Sequence, residues 1–131
     1  MNEKFTVEII TPDRTMLKSE SEEVTIPSFE GQMGILRDHI PFITFLRPGL
    51  IITKSSSAES NSFFIEDGIV EFFNNNLLIL SANIKKRDEL DQSLINDKIK
   101  NSQAKLNDED IDDKERYFLS HKIAVLKELN Q

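Results

Sequence analysis

Apolar and polar residues alternate from the start of the chain: Phe5, Val7 and Ile9 are separated by Thr6 and Glu8, and Val24 and Ile26 repeat the pattern around Thr25. A period of two puts successive side chains on opposite faces of an extended strand. Pro12-Asp13 and Pro27-Ser28 read as interruptions, because proline has no N–H to give to a sheet ladder. Denser runs of β-branched and aromatic residues follow at Leu50-Ile51-Ile52, Phe63-Phe64-Ile65, Ile69-Val70-Glu71-Phe72-Phe73 and Leu77-Leu78-Ile79-Leu80. The residues between them favour turns: a serine-rich loop over 55–60, Asp67-Gly68, and Asn74-Asn75-Asn76. Many short strands joined by such turns predict a β-sandwich or flattened barrel.

The vocabulary changes at Lys85-Lys86-Arg87-Asp88, where strand runs give way to charged, helix-tolerant residues. Asp88 is the expected cap of a first helix, with Asp91 at its third position and Leu90, Leu94, Ile95 and Ile99 as a partial apolar stripe. Asn96, Asn101 and Ser102 weaken that helix. Asn107-Asp108-Glu109-Asp110 offers a turn, after which Tyr117, Phe118, Leu119, Ile123, Ala124, Val125, Leu126 and Leu129 give a second helix a broad apolar arc. Asp110 with Lys114 and Asp112 with Arg116 are spaced for ion pairs of roughly 0.2–0.5 kcal/mol each. An antiparallel helical hairpin buries the arc with least exposed apolar surface. The predicted organisation is therefore a mainly β amino-terminal domain over 1–84 and a two-helix carboxy-terminal hairpin over 85–131.

Composition narrows the function. The chain has 131 residues, 38% of them hydrophobic, with no cysteine and no tryptophan, which is enough for one core and excludes disulfides and thiolate metal sites. A net charge of −7 opposes general attraction to nucleic acid or anionic lipid, and the Lys85-Lys86-Arg87 run reads as a solvated junction. The opening Met1-Asn2-Glu3-Lys4 lacks the features of a secretory signal, and no later apolar run is long enough to span a bilayer.

No catalytic set emerges. Gly31 and Gly34 fit neither a dinucleotide fingerprint nor a phosphate loop, and read as a bend or close packing. Met33 reads as core filler or a pliable contact. His39, beside Arg37 and Asp38, has no serine or cysteine nucleophile near it in sequence; His121 is equally isolated. The serines of the 55–60 loop lack a histidine and acid, and Glu66-Asp67 reads as turn chemistry. No catalytic, cofactor or metal residues are assigned.

The run from Pro27 to Gly49, PSFEGQMGILRDHIPFITFLRPG, closely resembles the epsilon-subunit motif of F-type ATP synthases. Ile9-Ile10-Thr11-Pro12-Asp13-Arg14, Ile65-Glu66-Asp67-Gly68-Ile69-Val70-Glu71 and Asn76-Leu77-Leu78-Ile79-Leu80-Ser81 extend the resemblance, with Asp67-Gly68 standing where a glycine pair is more usual. The resemblance implies a non-catalytic rotor subunit whose sandwich docks on the gamma subunit and meets the ring of c subunits. Glu30, Gly31, Gln32, Met33 and His39 become rotor-contact candidates, expected on loops at one end of the sandwich. It further implies a peripheral location on the cytoplasmic face of the bacterial inner membrane and a hairpin that alternates between the sandwich and the alpha and beta subunits, restraining ATP hydrolysis. The alternatives are an adaptor outside the synthase and, remotely, a small hydrolase. Some family members bind regulatory ATP through an Ile-or-Leu, Asp, two variable residues, Arg, Ala signature; here Leu90-Asp91-Gln92-Ser93 is followed by Leu94-Ile95, and a leucine cannot replace arginine at phosphate. No tight ATP site is expected.

Overall fold

The computed structural model describes residues 3–55 and 60–130. Met1, Asn2, Gln131 and positions 56–59 of the expected serine-rich loop lie outside the described residues. The strands are β1 (Phe5–Ile10), β2 (Thr15–Ser21), β3 (Glu23–Ser28), β4 (Gly31–Leu36), β5 (Phe42–Leu46), β6 (Gly49–Lys54), β7 (Ser60–Ile65), β8 (Gly68–Phe73), β9 (Asn76–Leu80) and β10 (Ile84–Lys86). A 3₁₀ turn over Arg87–Glu89 leads to helices α1 (Gln92–Leu106) and α2 (Asp113–Leu129).

Strand order is β10-β7-β6-β3-β5-β8-β9-β1-β2, with β4 paired to β3. The β3–β5 link consists of the single register pair Ser28↔Leu46, so the sheet divides there into two halves. All pairings are antiparallel except β1 with β9. Between the halves lies a core drawn from both, including Phe5, Val7, Ile9, Val70, Phe72, Leu77 and Ile79 from one and Val24, Ile26, Ile35, Ile51, Phe63 and Ile65 from the other. This is the sandwich that the alternating pattern predicts.

Turn chemistry sets the connections. Asn74 and Asn75 adopt φ of 51° and 59°, left-handed geometry that asparagine tolerates and β-branched residues resist, so β8 and β9 join tightly. At Gly68 a side chain would not fit, since an added Cβ would stand 2.7 Å from the Leu80 carbonyl oxygen. Pro27 corrects one expectation: β3 runs through it to Ser28. Its missing N–H costs no bond there, and its carbonyl accepts from the Arg47 backbone N–H at 3.0 Å.

The hairpin forms a second, smaller core on the outer face of β6 and β7. Phe64, Leu90, Ile95 and Leu126 are buried together, with Leu50, Leu94, Ile99, Val125 and Leu129 packed around them. Asp91, not Asp88, caps α1, accepting the Leu94 N–H at 2.8 Å, while Asp88 falls in the preceding 3₁₀ turn. Asp112 caps α2 through the Glu115 N–H at 2.8 Å. Spent as a cap, Asp112 is not paired with Arg116, whose guanidinium reaches the Leu106 carbonyl; neither that ion pair nor Asp110 with Lys114 forms among the described residues. The sheet also continues past Lys85, because β10 pairs with β7 as far as Lys86 opposite Phe63.

Candidate docking face and hairpin clasp

Paired residues in a sheet share a face, so the register locates a row across four strands: Phe45 on β5, Ile69 on β8, Leu80 on β9 and Ile10 on β1. The parallel row of alternate residues, Thr44, Val70, Ile79 and Ile9, points the other way, and its last three members are fully buried in the core. The first row therefore faces outward. Phe45 is 63% exposed, Ile43 on the same strand 70% and Phe73 on β8 55%. A contiguous apolar face of this kind is rare on a chain that works alone. It ends in an open cleft of about 890 Å³, where Phe45, Ile69 and Leu80 meet Phe29 and the Lys114 and Phe118 side chains of α2.

The rotor-contact candidates are not gathered at one end, as the sequence led us to expect. Glu30 sits exposed in the β3–β4 turn, and Gly31, Gln32 and Met33 are the first residues of β4 rather than a loop. Met33 packs partly buried against the sandwich core. His39 follows the far end of β4, its backbone N–H closing a turn onto the Leu36 carbonyl at 3.1 Å. β4, six residues and roughly 20 Å long, runs from Glu30 at its start to the turn that leads to His39. The His39 imidazole stands edge-on to Phe42 and Phe72 and lies 2.8 Å from the Ile40 carbonyl through Nδ1, a structural setting with no nucleophile.

Three polar ties fasten the hairpin. Glu66, in the β7–β8 turn, binds Lys98 of α1 at 2.9 Å with one oxygen and Lys122 of α2 at 2.6 Å with the other, so one carboxylate grips both helices. The Arg87 guanidinium donates to the Leu129 carbonyl at 3.0 Å. In the third tie, Arg47 donates to the Tyr117 hydroxyl at 2.9 Å, and that hydroxyl donates to the Phe29 carbonyl at 3.0 Å. Tyr117 also stands edge-on to His121, 4.4 Å between ring centres. Sequence reasoning gave Glu66 and Tyr117 no such roles, because their partners lie on other elements.

Two titrations bear on the ties. Burial raises the Glu66 carboxyl, but the hydrogen bonds from Lys122 and Lys98 outweigh it and hold the group below its ordinary value. Burial, with the Arg47 guanidinium, pushes His121 below the ordinary imidazole value. Both groups bind their proton less readily when the hairpin is packed. Its packing is therefore complete above the ordinary imidazole value of about 6.5, weakens as pH falls through the His121 range, and weakens again in the acid range where Glu66 protonates. The opening equilibrium of α2, taken as its amide exchange divided by the intrinsic rate at each pH, should rise in two steps as pH falls from about 8 to about 4, and His121→Gln should remove the upper one. A single step at Glu66 alone would contradict this account.

Among the described residues no group of three metal-ligating side chains occurs, and no helix is long and apolar enough to cross a membrane. The site is built for contact. Residues 4–87 match the family described as "ATP synthase, Delta/Epsilon chain, beta-sandwich domain". The ATP synthase epsilon chain of Pelagibacter ubique (strain HTCC1062) is 44% identical over 131 residues, covering 99% of this chain and 100% of that one.

The chain belongs to the ATP synthase epsilon chain family.

A more distant epsilon chain, from Rhizobium meliloti (strain 1021), is 27% identical over 131 residues, covering 100% of this chain and 96% of the relative. The fold recurs in a chain of the Euglena gracilis mitochondrial ATP synthase, with a TM-score of 0.75 at 18% identity over 96% of this chain and 79% of the other. It recurs again in the central stalk and c-ring structure of the Tetrahymena thermophila mitochondrial enzyme, with a TM-score of 0.64 at 15% identity over 99% and 98% of the two chains. The chain is thus homologous to ATP synthase epsilon chains, and the two mitochondrial structures share its fold. At Leu90-Asp91 the Leu90 side chain is buried in the hairpin core and the Asp91 carboxylate is occupied as the α1 cap.

Proposed function

We propose that this chain couples proton translocation to ATP synthesis as a rotor subunit, held at the cytoplasmic face of the bacterial inner membrane through other subunits and without inserting. The uncovered apolar row on β5, β8, β9 and β1 carries this reading. It suits a permanent protein neighbour, which the family makes the gamma subunit. Glu30, Gly31, Gln32 and Met33 at one end of β4 are assigned to the ring of c subunits, and His39 at the other end to a separate rotor contact. A proposed division of labour gives docking to the sandwich and a restraint on ATP hydrolysis to the hairpin, exerted when it leaves the sandwich for the alpha and beta subunits. Because β10 pairs with β7 through Lys86, a truncation meant to spare the sandwich is placed after Arg87 rather than after residue 84.

Reconstituted complexes test both halves of the proposal. Ile69→Asp and Phe45→Asp place a charge on the outer face without touching the core, and should weaken gamma binding about tenfold or more. A chain ending at Arg87 should bind gamma normally while hydrolysis by the complex rises. Unchanged gamma binding by both aspartate variants would remove the docking face, and unchanged hydrolysis with the shortened chain would remove the restraint.

A further inference from the structure

Away from the hairpin core, α2 also contacts the β3–β4 turn. Phe29 at this turn is 40% exposed, yet its ring packs with those of Tyr117 at 5.2 Å and Phe118 at 5.8 Å, which are themselves 5.9 Å apart, so the three rings form a triangle. Its carbonyl accepts from the Tyr117 hydroxyl, and its N–H donates to the Phe45 carbonyl at 2.9 Å. Arg47 completes a ring of bonds: its backbone N–H holds the Pro27 carbonyl and its guanidinium holds Tyr117. The Ser28 hydroxyl donates to the Gly31 carbonyl across the same turn. Glu30 is the next residue, exposed, so α2 fastens the turn that bears one of the rotor-contact candidates.

We infer that α2 sets the conformation of the β3–β4 turn, so that the state of the hairpin is transmitted through Tyr117 and Phe29 to whatever partner grips Glu30 and Gly31. With α2 packed, the Phe29 carbonyl is bonded and its ring rests against those of Tyr117 and Phe118. With α2 gone, the carbonyl turns to water and a 40% exposed phenylalanine loses its cover, leaving the turn to the Ser28 bond, the β3–β4 ladder that closes at Ser28↔Gly31 and the bonds to β5. Coupling of this kind is reciprocal: a partner that prefers the clasped turn holds the hairpin down, and one that prefers the open turn releases it. The importance of the device rests on the rotor reading of Glu30, but its existence does not.

Amide exchange on the full-length chain tests it without any partner. Tyr117→Phe removes the hydroxyl and keeps the ring; exchange at residues 29–31 should rise roughly fivefold, the factor one net hydrogen bond is worth, while the sandwich midpoint stays put. Leu126→Ala frees α2 from a position near its other end, away from the turn, and should raise exchange at the same three residues along with that of α2. Unaltered exchange at 29–31 in Tyr117→Phe, whatever Leu126→Ala does, overturns the inference. If Tyr117→Phe itself lowers the sandwich midpoint, Leu126→Ala decides: a freed α2 over an unchanged turn overturns it equally. Failure of the unaltered chain to bind gamma or the ring of c subunits in a separate assay would revise the rotor reading and leave this result standing.

Discussion

Replacing Leu126 with alanine is expected to detach the hairpin and leave the sandwich folded. Leu126 is fully buried, and its core neighbours are Phe64, Leu90 and Ile95, none of which belongs to the sandwich cluster. Truncating a leucine in such a setting costs about 2–5 kcal/mol. Helices of 15 and 17 residues are marginal alone in water, so packing against β6 and β7 supplies most of their stability. A loss of about 3 kcal/mol shifts the docked-to-undocked ratio roughly 150-fold. Amide exchange should accelerate throughout α1 and α2 while the sandwich unfolds at its former midpoint. If the sandwich midpoint falls by the same free energy, the two cores form one cooperative unit and the proposed division of labour fails.

Phe72→Ala should have the opposite reach. Phe72 is 1% exposed, stands edge-on to Phe5 at 5.6 Å, stacks on Phe42 at 6.2 Å and meets His39 at 5.9 Å. Its removal costs about 3–5 kcal/mol, which for a domain of this size lowers the midpoint by about 15–30 °C. The hairpin must go with it, because Phe64 and Leu50, its platform, sit on sandwich strands. Melting followed separately in the sheet and the helices would check this: a hairpin that outlives the sheet contradicts it. The two variants together define a one-way dependence, with helices relying on strands and strands not relying on helices.

The strand runs carried more information than strand positions alone. Phe63-Phe64-Ile65 is apolar without alternation because β7 is covered on both sides, by the sandwich at Phe63 and Ile65 and by the hairpin at Phe64. Ile69 to Phe73 has nearly the same composition, yet only Val70 and Phe72 are covered within the chain. An unalternating run thus announces a second cover, and whether it is the chain's own or a partner's is decided only by topology. Turns at Asn74-Asn75 and Asp67-Gly68 were legible because their chemistry is local. The α1 cap was misplaced by three residues, since Asp88 and Asp91 are equally good caps until Leu90 is known to be buried. β2, β4, β5 and β10 do not read as strands: Gly31 and Gly34 in β4 read as a bend, and β2 has mostly exposed or half-buried residues at the sheet edge. The ties through Glu66 and Tyr117 were beyond reach: Tyr117 meets Phe29 from 88 residues away, and no spacing encodes that.

Along β7 the doubly covered strand gives two adjacent phenylalanines different histories to answer to. Phe63 faces the sandwich core and Phe64 the hairpin core. Any lineage that keeps the rotor must keep something like Phe63 and, on the neighbouring strand, Ile51. Phe64 and Leu50 are retained only while a hairpin spends its time over them. Were the helices lost, those two positions would become wet apolar surface, an aggregation liability that mutation would be free to erase. Descendants without a hairpin should therefore carry polar residues at these sites while the residues beside them in sequence drift hardly at all.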